Sequence, residues 1–186
     1  MYRNKVRIIG GEWKRRQITF PDHQGLRPTP DRVRETLFNW LGQDLTGLRC
    51  LDLFAGSGAL GLEAASRMAA HVSMVELSRE VVQAIQLNVR HLGACNVEVI
   101  QSDAVRYITH CFDRFDVIFL DPPFKSDLLK AVLPLATKRA NSSGLIYIEC
   151  AVLPDLPVGW QVRRQSKAGL VNYVLLEQSN SEESMA

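Results

Sequence analysis

At 186 residues, with 46% hydrophobic and 23% charged positions, the chain has the size and balance of one soluble globular unit around a single core, and is too short for two large domains. No run approaches the roughly 20 apolar residues of a membrane span, and no apolar segment follows the basic start Met1-Tyr2-Arg3-Asn4-Lys5. These features argue against a membrane role or a secretory signal, so a monomeric, cytoplasmic protein is expected. The net charge of +2 hides an asymmetry: residues 1–40 hold nine Lys/Arg against four Asp/Glu, leaving an excess of acid in the remainder. A basic start on a nearly neutral body is the footprint of a surface that docks on a phosphate backbone.

In chain order, residues 6–20 read as two short extended runs around Gly10-Gly11, a dipeptide suited to the positive φ angles of a hairpin turn. Arg27-Pro28-Thr29-Pro30 then interrupts the chain, with Thr29 as a helix N-cap and Pro30 as the first helical residue. Val33, Leu37, Trp40 and Leu41 recur at helical spacing, and Gly42 can end that helix. From residue 48 onward short apolar runs alternate with helical patterns, the rhythm of a parallel sheet covered on both faces. Strands are predicted at 48–54, 71–76, 97–100, 115–120 and 145–149, and helices near 60–68, 79–91, 104–111 and 128–137. The second of these main-domain helices is capped by Ser78 and closed by Gly93. Two further strand-like runs, 160–165 and 170–177, are separated by Lys167-Ala168-Gly169, too short a link for a helical crossover, so an antiparallel hairpin is expected. The division is then a basic hairpin and helix over 1–42, a main domain over 43–178, and a polar, acidic, disordered tail over 179–186.

Cys50, Cys95, Cys111 and Cys150 lie far apart and mostly inside apolar runs, as reduced core thiols do, so neither a disulfide frame nor a zinc site is expected. His23, His71, His91 and His110 show no ligand spacing either, and no metal is predicted.

Leu51-Asp52-Leu53-Phe54-Ala55-Gly56-Ser57-Gly58-Ala59-Leu60-Gly61 is a buried strand entering a glycine-rich turn and then a helix. Gly56 and Gly58 leave room for a ligand to approach the backbone, and the helix start offers free N–H groups. Glu76 ends the next strand, where a carboxylate can accept from ribose hydroxyls. These features suit either a nicotinamide dinucleotide or S-adenosylmethionine. Asp52 discriminates between them, because a carboxylate before the loop repels a pyrophosphate but attracts an ammonium and a sulfonium. Asp103, followed by Ala104, ends the third strand, where an acid can accept from the adenine amine. Together with the strand rhythm, this outlines a Rossmann-like α/β fold of the class I S-adenosylmethionine-dependent methyltransferases: seven strands, mostly parallel, finished by an antiparallel hairpin.

A fourth buried strand delivers Asp121-Pro122-Pro123-Phe124 to the same sheet edge. An exocyclic base amine is a poor nucleophile because its lone pair is delocalised into the ring. Asp121 can accept one of its N–H groups and the Pro122 carbonyl the other, the two prolines holding both acceptors rigid. Phe124 offers a face on which an unpaired base can stack. The tetrapeptide selects an amine, not a base, so an N6-adenine or N4-cytosine DNA methyltransferase remains open, as does a non-catalytic RNA-binding assembly factor on the same fold.

Four segments carry a resemblance over nearly the whole chain: Arg7-Ile8-Ile9-Gly10-Gly11-Glu12-Trp13, the stretch from Arg27 to Leu41, Leu51 to Gly58, and Asp121 to Phe124. In these the sequence resembles the bacterial RsmD family. That resemblance implies methylation of the N2 amine of one guanine in 16S ribosomal RNA, on assembled or nearly assembled small subunits. It also implies cofactor contacts from Asp52, Phe54, Gly56, Gly58, Glu76, Asp103 and Ala104, a guanine held by Asp121, Pro122, Pro123 and Phe124, and closure of the site by the stretch from Thr29 to Arg34. Arg7, Lys14, Arg15 and Arg16 become the expected phosphate contacts, with Arg32 and Arg34 nearer the pocket. One departure stands out: Arg15 occupies the middle of a turn that the family usually writes Lys-Gly-Arg.

Overall fold

The computed structural model describes residues 4–22, 28–123 and 126–179. Two short strands, β1 (Asn4–Arg7) and β2 (Gln17–Phe20), pair antiparallel and lead to α1 (Asp31–Trp40). An alternating series follows: β3 (Arg49–Asp52), α2 (Ala59–Ser66), β4 (His71–Glu76), α3 (Arg79–Leu92), β5 (Val97–Gln101), α4 (Ala104–His110), β6 (Phe115–Leu120), α5 (Leu128–Thr137) and β7 (Ala140–Cys150). The strands β8 (Trp160–Ala168) and β9 (Val171–Gln178) close the order. One sheet runs β5-β4-β3-β6-β7-β9-β8, with β9 antiparallel to both of its neighbours and the other pairings parallel. This is the Rossmann-like class I methyltransferase arrangement. Strand order reverses between β3 and β6, which opens a crevice at the carboxyl ends of those strands.

Apolar residues on both faces of the strands explain the parallel pairing. Cys50, Val72, Met74, Val117, Phe119, Tyr147 and Leu175 pack on one side. Their neighbours Leu51, Val75, Ile118, Leu120, Ile146, Ile148, Val174 and Leu176 pack on the other, as the two-residue period of a strand requires. The N-terminal hairpin and α1 join the first of these cores through Val6, Ile8, Trp13, Ile18, Val33, Leu37 and Phe38. Phe38 meets Phe119 with ring centres 6.2 Å apart, and Trp40 stacks on Tyr173 at 5.5 Å. The cysteines are all free thiols; Cys50 and Cys150 are buried and Cys111 is half-buried, but Cys95 is exposed, so it is not the core thiol expected.

An ionic knot fastens the hairpin and α1 to α2. Glu63, fully buried, faces Arg34 at 3.2 Å and Arg67 at 2.9 Å, and also accepts from the backbone N–H groups of Ile9 and Gly10, both at 2.8 Å. Two cations and two amides compensate the one buried anion, the condition for burying charge without a large desolvation penalty.

Several local expectations are corrected. Gly10-Gly11 is not the tip of a two-residue hairpin, because residues 8–16 connect β1 and β2. The glycines serve close approach instead: a Cβ on Gly11 would sit 1.8 Å from the Ser66 carbonyl oxygen, and one on Gly10 would strike the Arg67 guanidinium. Thr29 does not cap α1, whose N-cap is Pro30, and Ser78 stands at the N-cap of α3 without a side-chain capping bond. The final hairpin turns on Gly169-Leu170, since Ala168 already pairs with Val171. Strand β7 begins at Ala140, five residues before the expected start. Nearly all of the predicted acidic tail lies outside the described residues.

Arg15 adopts φ +72°, the left-handed conformation that glycine tolerates and an L side chain resists. The family's usual glycine therefore has a physical reason at this position, and this chain carries the strain instead. Arg15→Gly is expected to raise the unfolding free energy by about 1 kcal/mol. Denaturant melts would check this, and an equal or lower midpoint would show that an Arg15 contact outweighs the backbone cost.

Candidate active site

A cavity of about 670 Å³ opens at the carboxyl ends of β3, β4, β5 and β6. Asp52, Phe54, Gly56, Glu76, Asp103, Ala104, Asp121, Pro122 and Pro123 all contribute to its wall. Gly58 does not. It sits beneath the wall at φ +82° as the N-cap of α2, where a Cβ would press on Leu62 at 3.2 Å and Met74 at 3.3 Å. Phe124 lies outside the described residues.

Each strand end sets its carboxylate through backbone bonds. Asp52, at the end of β3, accepts from Gly61 N–H at 2.9 Å, which ties the strand to α2 across the glycine turn. Glu76, at the end of β4, accepts from Gly56 N–H at 3.0 Å through one oxygen and from Ser78 N–H at 2.8 Å through the other, so it braces the turn and the start of α3 together. Asp103 caps α4 by accepting from Arg106 N–H at 2.8 Å. The Pro123 carbonyl accepts from the backbone N–H of Ser126 at 3.1 Å and from its hydroxyl at 2.7 Å, fastening the Asp-Pro-Pro turn to the approach of α5.

The site is electrostatically one-sided. Burial pushes the Asp52 carboxyl up to about 7, against the bond from Gly61 and with help from the charges of Glu76 and Glu149. Burial and the neighbouring charges of Glu149 and Asp52 likewise raise Asp121 well above the usual carboxylate range. No lysine or arginine is among the described residues of the cavity wall. Such a wall disfavours phosphates and favours a cationic ligand.

Behind Asp121 stand Thr29, from the stretch expected to close the site, and two groups that escape a reading from sequence, Glu149 and Tyr147. Glu149, at the end of β7, is buried and accepts from the hydroxyls of Tyr147 and Thr29, each at 2.9 Å. The Thr29 hydroxyl also stands 3.4 Å from Asp121 Oδ2. A carboxylate closing the apolar run of the fifth predicted strand was the available signal, since the other acids of the site close their strands in the same way.

The basic candidates divide. Lys14, Arg15, Arg16 and Arg32 are exposed, and Arg7 is mostly exposed while pairing with Asp31 at 2.7 Å. A second depression, of about 390 Å³, carries Lys5 and Arg7 and shares Pro28 and Thr29 with the main cavity. Arg34 is corrected: its side chain is 0% exposed, and it spends its guanidinium on Glu63, Asp31 and the carbonyls of Arg7 and Thr29. It cannot reach a phosphate.

The family model described as Conserved hypothetical protein 95 matches residues 6–177. A relative from Escherichia coli strain K12, ribosomal RNA small subunit methyltransferase D, is 43% identical over 98% of this chain and 94% of its own length. Its counterpart of the same name in Haemophilus influenzae is 37% identical over 94% and 95%. The solved yhhF structure from Escherichia coli superposes with a TM-score of 0.87 at 42% identity, over 94% of this chain and 98% of that one. The chain belongs to the RsmD family. Among the described residues no helix is long and apolar enough to cross a membrane.

Methyltransferase kinship implies S-adenosylmethionine, and the chemistry of the cavity suits it. The wall offers the buried acid Asp52, a glycine turn braced by Glu76, and further acid at Asp103 and Asp121 for a cationic ligand. Because the folded-state pKa of Asp52 is raised, its stability contribution is present below the unfolded carboxyl value and is lost as pH rises through about 7. A bound cation reverses that loss by favouring the ionised acid. Affinity for S-adenosylhomocysteine, through its ammonium, is therefore expected to rise between about pH 6 and 8 with proton release on binding, and Asp52→Asn should flatten the rise. Calorimetry in buffers of different ionisation enthalpy measures this; binding with no proton exchange near pH 7 would remove Asp52 from the ligand.

Proposed function

We propose that the protein transfers the methyl group of S-adenosylmethionine to the exocyclic N2 amine of one guanine in 16S ribosomal RNA, within the assembled or assembling small subunit. The observation that carries this reading is the shared wall: Asp121, Pro122 and Pro123 face the same cavity as Asp52, Gly56, Glu76 and Asp103. Two relatives named for small-subunit ribosomal RNA support the class of substrate. The choice of N2 rests on the resemblance to the family.

The bound cofactor supplies a methyl group already activated on a sulfonium, so the protein has only to position and deprotonate. Asp52 holds the charged end, Glu76 the ribose and Asp103 the adenine edge. Asp121 and the Pro122 carbonyl accept the two amine hydrogens, which turns the nitrogen lone pair toward the methyl carbon. Phe124, next in the chain, stacks on the base. On this reading phosphates are met by Arg7, which lines the second depression beside the cavity, and by the exposed Arg32, Lys14, Arg15 and Arg16.

Labelled S-adenosylmethionine, offered with small subunits lacking the modification, with free ribosomal RNA or with DNA, is expected to yield N2-methylguanosine from the RNA arms alone. Methyladenine or methylcytosine in DNA would overturn the reading. Asp121→Ala should slow transfer by about 100-fold or more while leaving S-adenosylhomocysteine affinity within about twofold. Parallel loss of both would make Asp121 a structural group.

Replacing Lys14, Arg15 and Arg16 by Ala should weaken RNA binding. It should also reduce the dependence of log affinity on log salt by about 0.7 for each single-strand phosphate that the variant no longer neutralises. Filter binding across a salt series reads the slope, and an unaltered slope would take the hairpin out of the interface.

A further inference from the structure

The proposed reaction leaves one buried acid without a task. Glu149 sits at the end of β7 beside the end of β6: Leu120 pairs with Ile148 in register, so Asp121 and Glu149 are the next residue on each strand. Glu149 is buried and Asp121 half-buried, and one hydroxyl, that of Thr29, stands 2.9 Å from Glu149 Oε1 and 3.4 Å from Asp121 Oδ2. A structural carboxylate in a core is expected to face a cation or several amide donors. Glu149 has neither in its hydrogen bonds; its partners are the hydroxyls of Thr29 and Tyr147. Among the described residues, the other titratable groups that face the two acids are Asp52 from β3, Tyr147 and Cys150 from β7, and Tyr173, which bears on Tyr147 from β9. None supplies positive charge.

We propose that Glu149 is the partner carboxylate that makes Asp121 a proton acceptor, with the Thr29 hydroxyl holding the two acids in one geometry. This rests on the reading of Asp121 as the group facing the amine. During transfer the nitrogen–carbon bond forms and the sulfur–carbon bond breaks, its electron pair remaining on sulfur. The amine gives up one proton, and that proton goes to Asp121. An isolated aspartate holds a proton weakly at neutral pH; a second anion beside it in a partly buried site strengthens that hold. Glu149 acts through Asp121 and touches no reacting atom, so it is a positioning residue. Thr29, which enters from the segment before α1, ties this pair to the docking of the N-terminal extension.

The test compares wild type with Glu149→Gln, Thr29→Val and Thr29→Ser. The rate of labelled methyl transfer to unmodified small subunits is followed from about pH 5.5 to 9, alongside S-adenosylhomocysteine affinity. Glutamine preserves shape and hydrogen bonding while removing the charge. Glu149→Gln is expected to move the acidic limb of kcat down by about one pH unit and to lower its plateau about tenfold, with affinity within about twofold of wild type. Thr29→Val should lower kcat, and Thr29→Ser should restore most of that rate. The carboxyl ¹³C signal of Asp121, titrated in the same proteins, should shift in the direction of the rate profile.

An acidic limb and an Asp121 titration that both stay in place in Glu149→Gln would overturn the pair. So would a loss of cofactor affinity that parallels the loss of rate. Wild-type transfer is the control that separates the two readings: its absence defeats the function and with it the pair, whereas wild-type transfer with an unmoved profile in Glu149→Gln defeats the pair alone.

Discussion

Arg34 is the contact through which the N-terminal segment and the catalytic sheet become one object. Its guanidinium, wholly buried, binds Glu63 on α2 and Asp31 on its own helix, and its Nε donates to the Thr29 carbonyl at 3.2 Å. Burying such a cation costs several kcal/mol unless every direction of the fork is answered, and here carboxylates and carbonyls answer it. The geometry follows from that requirement. Once Arg34 is seated, the Thr29 backbone is held, and its hydroxyl falls between Asp121 and Glu149. A residue expected to contact RNA thus shapes the site from inside, and Thr29, expected to cap a helix, reaches the acids.

The cavity runs the opposite electrostatic policy. The knot around Glu63 balances its charges within the fold, whereas the buried Asp52 and Glu149 and the half-buried Asp121 have no cation among the described residues beside them. Burial first, and the neighbouring acids second, raise the proton affinities of Asp52 and Asp121. A ligand bringing an ammonium and a sulfonium relieves that imbalance, while a ligand bringing phosphates aggravates it. On the proposed reading, cofactor selectivity arises less from any one contact than from acid distributed over three strand ends.

Much of this was legible before any coordinates. Apolar runs marked the central strands β3, β4 and β6 because a strand buried on both faces has few polar positions to disguise it, while the edge strand β5, half-exposed, showed a shorter apolar run. The glycine turn and the acids after β3, β4, β5 and β6 were legible for the same reason: a carboxylate ending an apolar run is conspicuous. What escaped was burial and pairing. Sequence shows that Arg34 is charged but not that Glu63, 29 positions away, is its partner, and a cluster of arginines reads as surface. Gly10-Gly11 permits either a turn or close approach, and only the position of Ser66 against Gly11 decides between them. Glu149 was passed over although it ends its strand as Asp52 and Glu76 end theirs, since no glycine or proline beside it drew attention.

Strand order explains why these acids converge. The reversal between β3 and β6 opens one crevice whose wall carries Asp52, Glu76 and Asp103 together with the Asp-Pro-Pro turn, so the proposed cofactor and base sites share a single edge. β7 lies one strand further out, beyond direct reach of either, yet adjacent in register to β6. A charge placed there can alter the chemistry of Asp121 without occupying space that the base or the cofactor needs. The N-terminal extension covers that same outer side, through Thr29 above Glu149 and through Trp40 stacked on Tyr173. Seating the extension and setting the acid pair are therefore one structural event, and the exposed basic residues of that extension lie on the segment whose docking completes the site.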